Sequence, residues 1–252
     1  MTTTYFTSPE GRRLAYRASA PTRSPLTYVW LSGFKSDMSG TKVTELEAWA
    51  TEAGHGFLAF DYSGHGLSDG AFEDGTISAW REDALAAIDT HSTGPIVLVG
   101  SSMGGWMALL AALARPDRVA GLVLIAPAPD FTEKLMWPEF SAEAQSEIME
   151  QGFTQRPSDY DEPYTITRAL IEDGQTWQIL DAPIELDIPV RILQGMQDAD
   201  VPWKHAERLV DTITSEDLVF TLIKDGDHRL SREQDIARLK TTCAEIATAT
   251  RP

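Results

Sequence analysis

Of the 252 residues, 42% are hydrophobic and 9% aromatic, so the chain carries enough apolar side chain for a sizeable core and is not a disordered protein. The 38 acidic residues outnumber the 21 basic ones, and the resulting net charge of −17 argues against nucleic acid and anionic membranes as partners. The single cysteine, Cys243, excludes an intrachain disulfide and a cysteine-built zinc site.

The start of the chain shows no targeting signal that we recognise. Residues 1–20 lack the apolar stretch of a secretory signal, and they carry Glu10 and have the pattern of a strand rather than of an Arg-rich amphipathic helix. No apolar run anywhere approaches the roughly 18 residues that a membrane span needs. We therefore expect a globular protein of the cytoplasm.

Short apolar runs alternate with amphipathic segments along most of the chain. Runs bounded by glycine and proline predict strands covered on both faces, as in a parallel sheet, and the segments between them have helical spacing. This alternation predicts a doubly wound, mostly parallel α/β sheet. The predicted strands are residues 27–31, 56–60, 95–99, 119–125, 190–193 and 217–223, with a weaker edge strand at 11–17. The predicted helices are residues 41–53, 78–90, 104–114, 203–213 and 232–249.

One interval breaks this alternation. Residues 131–187 lie between two strong strand signals and are far longer than a normal crossover. They contain helical fragments at 142–151 and 165–173, interrupted by prolines and rich in bulky apolar residues. We interpret the interval as a small helical cap above the C-terminal edge of the sheet, where ligands bind in open α/β folds. The alternative is an ordinary excursion that packs on the core.

This interpretation divides the chain into a core and an insertion. Residues 1–130 form the first part of the core, residues 131–187 form the cap, and residues 188–252 form the second part of the core.

The strongest chemical signal is GSSMG at residues 100–104, which has the pattern G-x-S-x-G. It directly follows a predicted strand and precedes a helix, and such a sharp turn strains its middle residue while the flanking glycines avoid clashes. Ser102 has a glycine two residues away on both sides, which favours it over Ser101 as a nucleophile exposed at the edge of the sheet.

A serine nucleophile needs an adjacent general base. His228 follows the last predicted strand, and this placement returns its imidazole to the edge that presents Ser102. His65 also follows a strand and is the main rival, but we favour a role for it in shaping its own loop. The remaining histidines are predicted to be surface or helix-end residues: His55, His91 and His205.

The base in turn needs a carboxylate that fixes its tautomer. Asp198 and Asp200 both follow the strand at 190–193, and the residue pattern alone leaves the choice open. With either of them, the chain order is serine, acid, histidine, which is the order of α/β-hydrolases.

Negative charge that develops on a substrate carbonyl oxygen needs preorganised donors. The first predicted donor is the backbone N–H of Met103, directly after the nucleophile. The second is the N–H of Phe34 in the loop after the strand at 27–31, where Gly33 allows the backbone to approach closely.

Together these motifs resemble the α/β-hydrolase superfamily over nearly the whole chain. Members commonly read D-x-x-G-x-G-x-S, matched at residues 61–68, and G-x-x-D-x-x-V-P, matched at residues 195–202. The second match selects Asp198 over Asp200. Residues 100–131 look most similar to the group of palmitoyl-protein thioesterases and acyl-glucuronide esterases.

Two positions depart from the usual pattern of that superfamily. Ser32 stands where a histidine usually precedes the oxyanion glycine, and this leaves open how the oxyanion loop is braced. Asp227 stands where a glycine usually precedes the catalytic histidine. Neither departure removes a member of the predicted triad.

The resemblance implies a serine hydrolase that cleaves carboxylic esters or thioesters through an acyl-enzyme, with no metal and no organic cofactor. The negative net charge favours neutral substrates over strongly anionic ones. One alternative is a carbon–carbon bond hydrolase of the ring-cleavage-product type, which needs cationic anchors such as Lys35 or Arg168. Another is a catalytically silent binding protein on the same scaffold. The intact set of Ser102, Asp198 and His228 argues against the latter.

Overall fold

A computed structural model describes residues 2–156 and 163–250 of the protein. Within these residues the strands are β1 (Thr4–Thr7), β2 (Arg13–Ser19), β3 (Thr27–Leu31), β4 (Gly56–Phe60), β5 (Ile96–Ser101), β6 (Val119–Ile125), β7 (Phe153–Arg156), β8 (Tyr164–Thr167), β9 (Val190–Gly195) and β10 (Leu218–Ile223). The α-helices are α1 (Thr41–Ala53), α2 (Ile77–His91), α3 (Met103–Ala114), α4 (Ala142–Gln151), α5 (Arg168–Thr176), α6 (Trp203–Thr212) and α7 (Glu233–Ala249). None of these helices is long and apolar enough to span a membrane.

Eight of the strands form one sheet in the order β1-β2-β4-β3-β5-β6-β9-β10. All neighbours from β4 to β10 run parallel, and β1 and β2 add an antiparallel hairpin on one side. The doubly wound, mostly parallel sheet is therefore confirmed. The run at 11–17 was wrongly predicted as an edge, because β1 pairs along β2 and takes the outer position itself. At four residues, β1 is too short to give a periodic signal.

Helices cover both faces of the sheet, and alternate residues of the central strands feed the two layers. In β5, Leu98 packs in the layer that includes Trp80 of α2. Its neighbours Val97 and Val99 pack in the opposite layer, which includes Leu46 of α1. This burial on both faces explains why the central strands read as continuous apolar runs.

The interval at 131–187 is only partly helical. It contains α4 and α5, but also an antiparallel hairpin of β7 and β8, a π-helical turn at Thr132–Met136 and a 3₁₀ turn at Trp137–Glu139. The helix predicted at 165–173 begins only at Arg168, because the preceding residues pair in β8. Residues 157–162 of the predicted cap lie outside the described residues.

Two carboxylates tie this interval to the core. Asp173 of α5 accepts hydrogen bonds from the backbone N–H (2.7 Å) and the hydroxyl (2.6 Å) of Ser78, in the first turn of α2. The indole of Trp177 donates to the same hydroxyl at 2.7 Å. At the chain's entry into the interval, Asp130 accepts hydrogen bonds from the N–H groups of Ile179 (2.9 Å) and Leu180 (3.0 Å). The interval is thus fixed over one end of the sheet.

Candidate active site

Ser102 lies on a sharp turn between β5 and α3, with φ of 56° and ψ of −120°. A positive φ is strained for serine, by an amount on the order of 1–3 kcal/mol. Neighbouring contacts fix this conformation, because the N–H of Ser102 donates to the carbonyl of Ile125 at 2.9 Å. A Cβ atom at Gly104 would overlap the carbonyl oxygen of Leu31. Glycine at this position therefore lets α3 start close against β3 and holds Ser102 at the edge of the sheet.

The structure brings three predicted residues into one hydrogen-bonded chain. Oγ of Ser102 lies 3.2 Å from Nε2 of His228, and Nδ1 of His228 lies 2.8 Å from Oδ2 of Asp198. Ser102 follows β5, Asp198 follows β9 and His228 follows β10, so all three lie at the carboxyl ends of parallel strands. The side chain of Asp198 is fully buried, whereas that of His228 is 24% exposed and can meet a substrate.

Four hydrogen bonds fix the carboxylate of Asp198. Oδ1 accepts from the N–H groups of Asp200 (3.0 Å) and Val201 (2.8 Å), and Oδ2 accepts from the amide of Gln194 (3.0 Å) as well as from His228. Among the described residues, Asp198, Asp200 and His228 are also the one set of acidic and histidine side chains close enough to share a metal ion, with ligand atoms within 4.8 Å. The hydrogen bonds of Asp198 account for this closeness without an ion.

The two predicted oxyanion donors adjoin the nucleophile. Met103 is the first residue of α3, so its N–H belongs to the unpaired donors of a helix N-terminus. The loop that carries Phe34 passes beside Ser102. A Cβ atom added at Gly33 would lie only 3.4 Å from Cβ of Ser102. Both predicted donors therefore belong to residues that adjoin Ser102 or follow a residue in contact with it.

The side chain of Ser32 does not brace this loop. Its hydroxyl is buried and accepts a hydrogen bond from the indole of Trp30 at 3.0 Å. The loop is instead contacted by His65, whose Nε2 lies 3.1 Å from the backbone N of Lys35 and whose Nδ1 lies 3.2 Å from the carbonyl oxygen of Ser63. The side chain of Asp227 accepts a hydrogen bond from the N–H of Leu230 at 2.9 Å and so closes the turn after His228.

The His65 imidazole is almost completely buried, with 4% of the residue exposed, and burial lowers its pKa to about 4. An unfolded chain would bind a proton at this histidine below about pH 6.5, whereas the folded chain would not until pH 4.

We therefore expect the pH dependence of stability to decrease when His65 is replaced by glutamine. In the wild type, the contribution of His65 is fully present above about pH 6.5 and is lost as the pH falls, by about 2–3 kcal/mol at about pH 4.5. Urea unfolding of both proteins at about pH 7.5 and about pH 4.5 measures the difference. Every other titrating group is common to both proteins, so an equal pH dependence in the two would contradict the prediction.

The remaining histidines lie away from the hydrogen-bonded chain. His205 was predicted to be a surface or helix-end residue; it lies in the first turn of α6 but is buried, and its Nε2 lies 2.8 Å from the carbonyl oxygen of Pro129. His91 does end α2, where its ring stacks on Tyr16 at 3.7 Å. His55 lies two residues after the last residue of α1 and is half-buried.

A cavity of about 490 Å³ opens above Ser102 between the core and the interval at 131–187. The core and the interval both contribute apolar side chains to its lining: Phe34, Phe131, Leu135, Met136 and Tyr164. Its charged lining comes from five places that are distant in sequence, and only Asp200 among them was considered from the sequence: Lys42, Glu139, Arg156, Asp200 and Arg229.

Three of these charged side chains make contacts with other groups of the protein. Arg156 forms an ion pair with Glu139 at 2.7 Å, and the Lys42 amine donates to the carbonyl of Arg229. Burial lowers the pKa of Lys42 to about 8.

The two cations that an acidic dienone substrate would need were predicted at Lys35 and Arg168. Among the described residues neither lines the cavity. Arg168 pairs with Glu172 at 2.6 Å on α5, and the Lys35 amine lies 4.7 Å from the centre of the Tyr164 ring. The structure therefore gives no support to these residues as substrate anchors.

A mostly parallel sheet with a serine on the sharp turn after a central strand is typical of the α/β-hydrolase class of proteins. A model of the Alpha/beta hydrolase family matches residues 28–240 of this chain. The chain belongs to the α/β-hydrolase family.

Within this family, the chain is similar to a human protein and to two proteins of solved structure. It is 36% identical over 244 residues to the human protein named "Palmitoyl-protein thioesterase ABHD10, mitochondrial", covering 96% of this chain and 79% of that one. Its fold matches the crystal structure of a putative hydrolase from Agrobacterium vitis S4, with 44% identity, a TM-score of 0.94 and 98% coverage of both chains. It also matches alpha/beta hydrolase domain-containing protein 10 from mouse, with 34% identity, a TM-score of 0.89 and coverage of 98% of this chain and 99% of that one. The resemblance predicted from residues 100–131 is thus confirmed.

Proposed function

We propose that this protein is a serine hydrolase that cleaves carboxylic esters or thioesters through an acyl-enzyme. The observation that carries the proposal is the continuous chain from Ser102 Oγ to His228 Nε2 (3.2 Å) and from His228 Nδ1 to Asp198 Oδ2 (2.8 Å). This is the arrangement that a serine needs to become a nucleophile at neutral pH. Similarity to a relative named a thioesterase supports the choice of substrate class.

The first half of the proposed reaction forms the acyl-enzyme. Oγ of Ser102 attacks the acyl carbon while Nε2 of His228 takes its proton, and the carboxylate of Asp198 stabilises the resulting imidazolium. The N–H groups of Phe34 and Met103 donate to the oxyanion. The tetrahedral intermediate then collapses, and His228 gives its proton to the leaving alcohol or thiol.

The second half regenerates the enzyme. His228 takes a proton from a water molecule, which attacks the acyl carbon of the ester on Ser102. The oxyanion forms again and collapses, the carboxylic acid leaves, and the proton returns from His228 to Oγ of Ser102. Every step uses groups of this chain and water, and no metal or organic cofactor takes part.

We further propose that residues 131–187 act as a cap that shapes the acyl site. Phe131, Leu135 and Met136 from this interval line the cavity next to Ser102 together with Phe34 from the core. Such an apolar wall suits the hydrocarbon part of an acyl or aryl group. The division into residues 1–130, 131–187 and 188–252 then separates the catalytic core from the part that selects substrates.

A fluorophosphonate probe tests whether Ser102 is an activated nucleophile. We expect the wild type to be labelled on the peptide that contains Ser102, because the probe reacts with a serine whose proton is taken by an adjacent base. Mass spectrometry of the digested protein locates the label. The Ser102→Ala variant should stay unlabelled, while Ser101→Ala provides a matched control that still reacts. Folded wild-type protein that takes up no probe would favour the silent binding protein instead.

A further inference from the structure

The oxyanion loop contains a strained turn. The carbonyl of Gly33 accepts a hydrogen bond from the N–H of Ser36 at 3.1 Å, so residues 33–36 form a four-residue turn. Of its two central residues, only Lys35 has a positive φ, of 56°. This is the backbone pattern of a type II turn, which normally places glycine there. A lysine at this position favours the alternative turn, in which the middle peptide, between Phe34 and Lys35, is flipped and φ of Lys35 is negative. The observed turn therefore needs a contact that holds this peptide in place.

That contact is made by His65. The N–H of Lys35 belongs to the middle peptide of the turn and can only donate, so Nε2 of His65, at 3.1 Å, is the acceptor. The proton of the imidazole then lies on Nδ1, which donates to the carbonyl of Ser63 at 3.2 Å. Both ring nitrogens are used, and the two partners fix one neutral tautomer. The lowered pKa of His65 agrees with this, because the ring must be neutral to accept.

His65 is itself held rigidly by the core. Its ring packs edge-on against Phe72 and Trp80, with ring centres 5.3 and 5.2 Å apart. Its partner Ser63 donates from its N–H (2.9 Å) and its hydroxyl (2.7 Å) to Asp83 of α2. A continuous set of contacts therefore connects α2, through Ser63 and His65, with the middle peptide of the oxyanion turn.

We propose that His65 is a positioning residue that holds the N–H of Phe34 in place as an oxyanion donor. Phe34 lies between two fixed points. On one side, Gly33 lies against the carbonyl oxygen of Ser101 and Cβ of Ser102. On the other, the N–H of Lys35 is bonded to His65. Without the hydrogen bond from the N–H of Lys35 to His65, the middle peptide of the turn is free to flip. Phe34 can then move relative to Ser102. His65 thus supplies the brace that Ser32 does not.

This inference rests on the proposed hydrolase function, and its test has one readout that does not. The variants are His65→Gln and His65→Met, which have the same length, while only glutamine keeps an acceptor near the position of Nε2. His91→Met is the matched control, since it removes an imidazole that packs on Tyr16, away from the oxyanion loop. The readouts are kcat and KM on a p-nitrophenyl ester, amide hydrogen exchange at Lys35, and Tm to show that each variant is folded.

We expect His65→Met to lower kcat about 10²-fold with KM changed less than about threefold, because the donor acts in the transition state. His65→Gln should keep kcat within about fivefold, and His91→Met should match the wild type. Exchange at Lys35 should be slow in the wild type and in His65→Gln, and at least tenfold faster in His65→Met.

Equal kcat losses in the glutamine and methionine variants would overturn the proposal, since packing rather than the acceptor would then matter. Rapid exchange at Lys35 in the wild type would overturn it as well, whether or not the methionine variant folds. A wild type that hydrolyses no ester would refute the proposed function, while the exchange comparison would still decide whether His65 holds the loop.

Discussion

Replacing Ser102 by alanine is expected to lower kcat for a p-nitrophenyl ester by about 10⁶-fold, the size of the loss when a serine hydrolase loses its nucleophile. Without Oγ, no acyl-enzyme can form and the base has no group to deprotonate except water. The proposed oxyanion donors would persist, since they are backbone groups of Phe34 and Met103. A residual rate above that of water is therefore also expected. Steady-state kinetics of purified wild type and variant measure the effect.

Ser101→Ala is the matched control, because it removes a hydroxyl from the adjacent residue of the same motif. We expect it to keep kcat within about tenfold of the wild type. Undiminished hydrolysis by Ser102→Ala would show that another group performs the chemistry. Rapid turnover of an acidic dienone by the wild type, with negligible ester hydrolysis, would instead favour the carbon–carbon bond hydrolase.

The central sheet could be predicted because burial on both faces leaves a simple mark in the sequence. The strand at 56–60 and the helix at 41–53 have the predicted bounds. Strands of this kind are apolar without a break, and glycine or proline marks their ends. The site could be predicted for a related reason: parallel strands place their carboxyl ends at one edge, so residues that follow β5, β9 and β10 must converge.

The β7–β8 hairpin could not be predicted from its residues. Each strand has four residues, and FTQR at Phe153–Arg156 mixes polar and apolar side chains with only Thr154 buried. Strands this short gain their stability from pairing and from the surface below them. Neither contribution is visible in a local pattern. The same reason explains why the first residues of the predicted helix at 165–173 belong to a strand instead.

The surroundings of single histidines are harder still to predict. His205 has helical spacing on α6 and looks like a surface residue, yet the carbonyl of Pro129, 76 residues away in sequence, accepts its Nε2–H. His65 could be placed in its loop, but its partner Lys35 lies 30 residues earlier and follows a different strand. Such pairings depend on the final packing of loops, which no periodicity records.

Asp198→Asn is expected to lower kcat about 10⁴-fold, or about 5 kcal/mol of transition-state stabilisation, while leaving the fold in place. The amide oxygen of asparagine can take over the bonds that Oδ1 of Asp198 accepts from the N–H groups of Asp200 and Val201. Its NH₂ group would then face His228 Nδ1 and the amide of Gln194, where the carboxylate now accepts. The imidazole would have to place its proton on Nε2, towards Ser102, and could no longer act as the base.

Asp200→Asn is the matched control and decides between the two acids that the residue pattern alone leaves open. Asp200 is exposed and lies close to His228, but the hydrogen bond of the histidine runs to Asp198. Its backbone N–H, which supports Asp198, survives the substitution, so we expect kcat within about fivefold of the wild type. Steady-state kcat of both variants on a p-nitrophenyl ester completes the test. A loss of kcat in Asp200→Asn as large as that in Asp198→Asn would contradict the assignment of Asp198 as the catalytic acid.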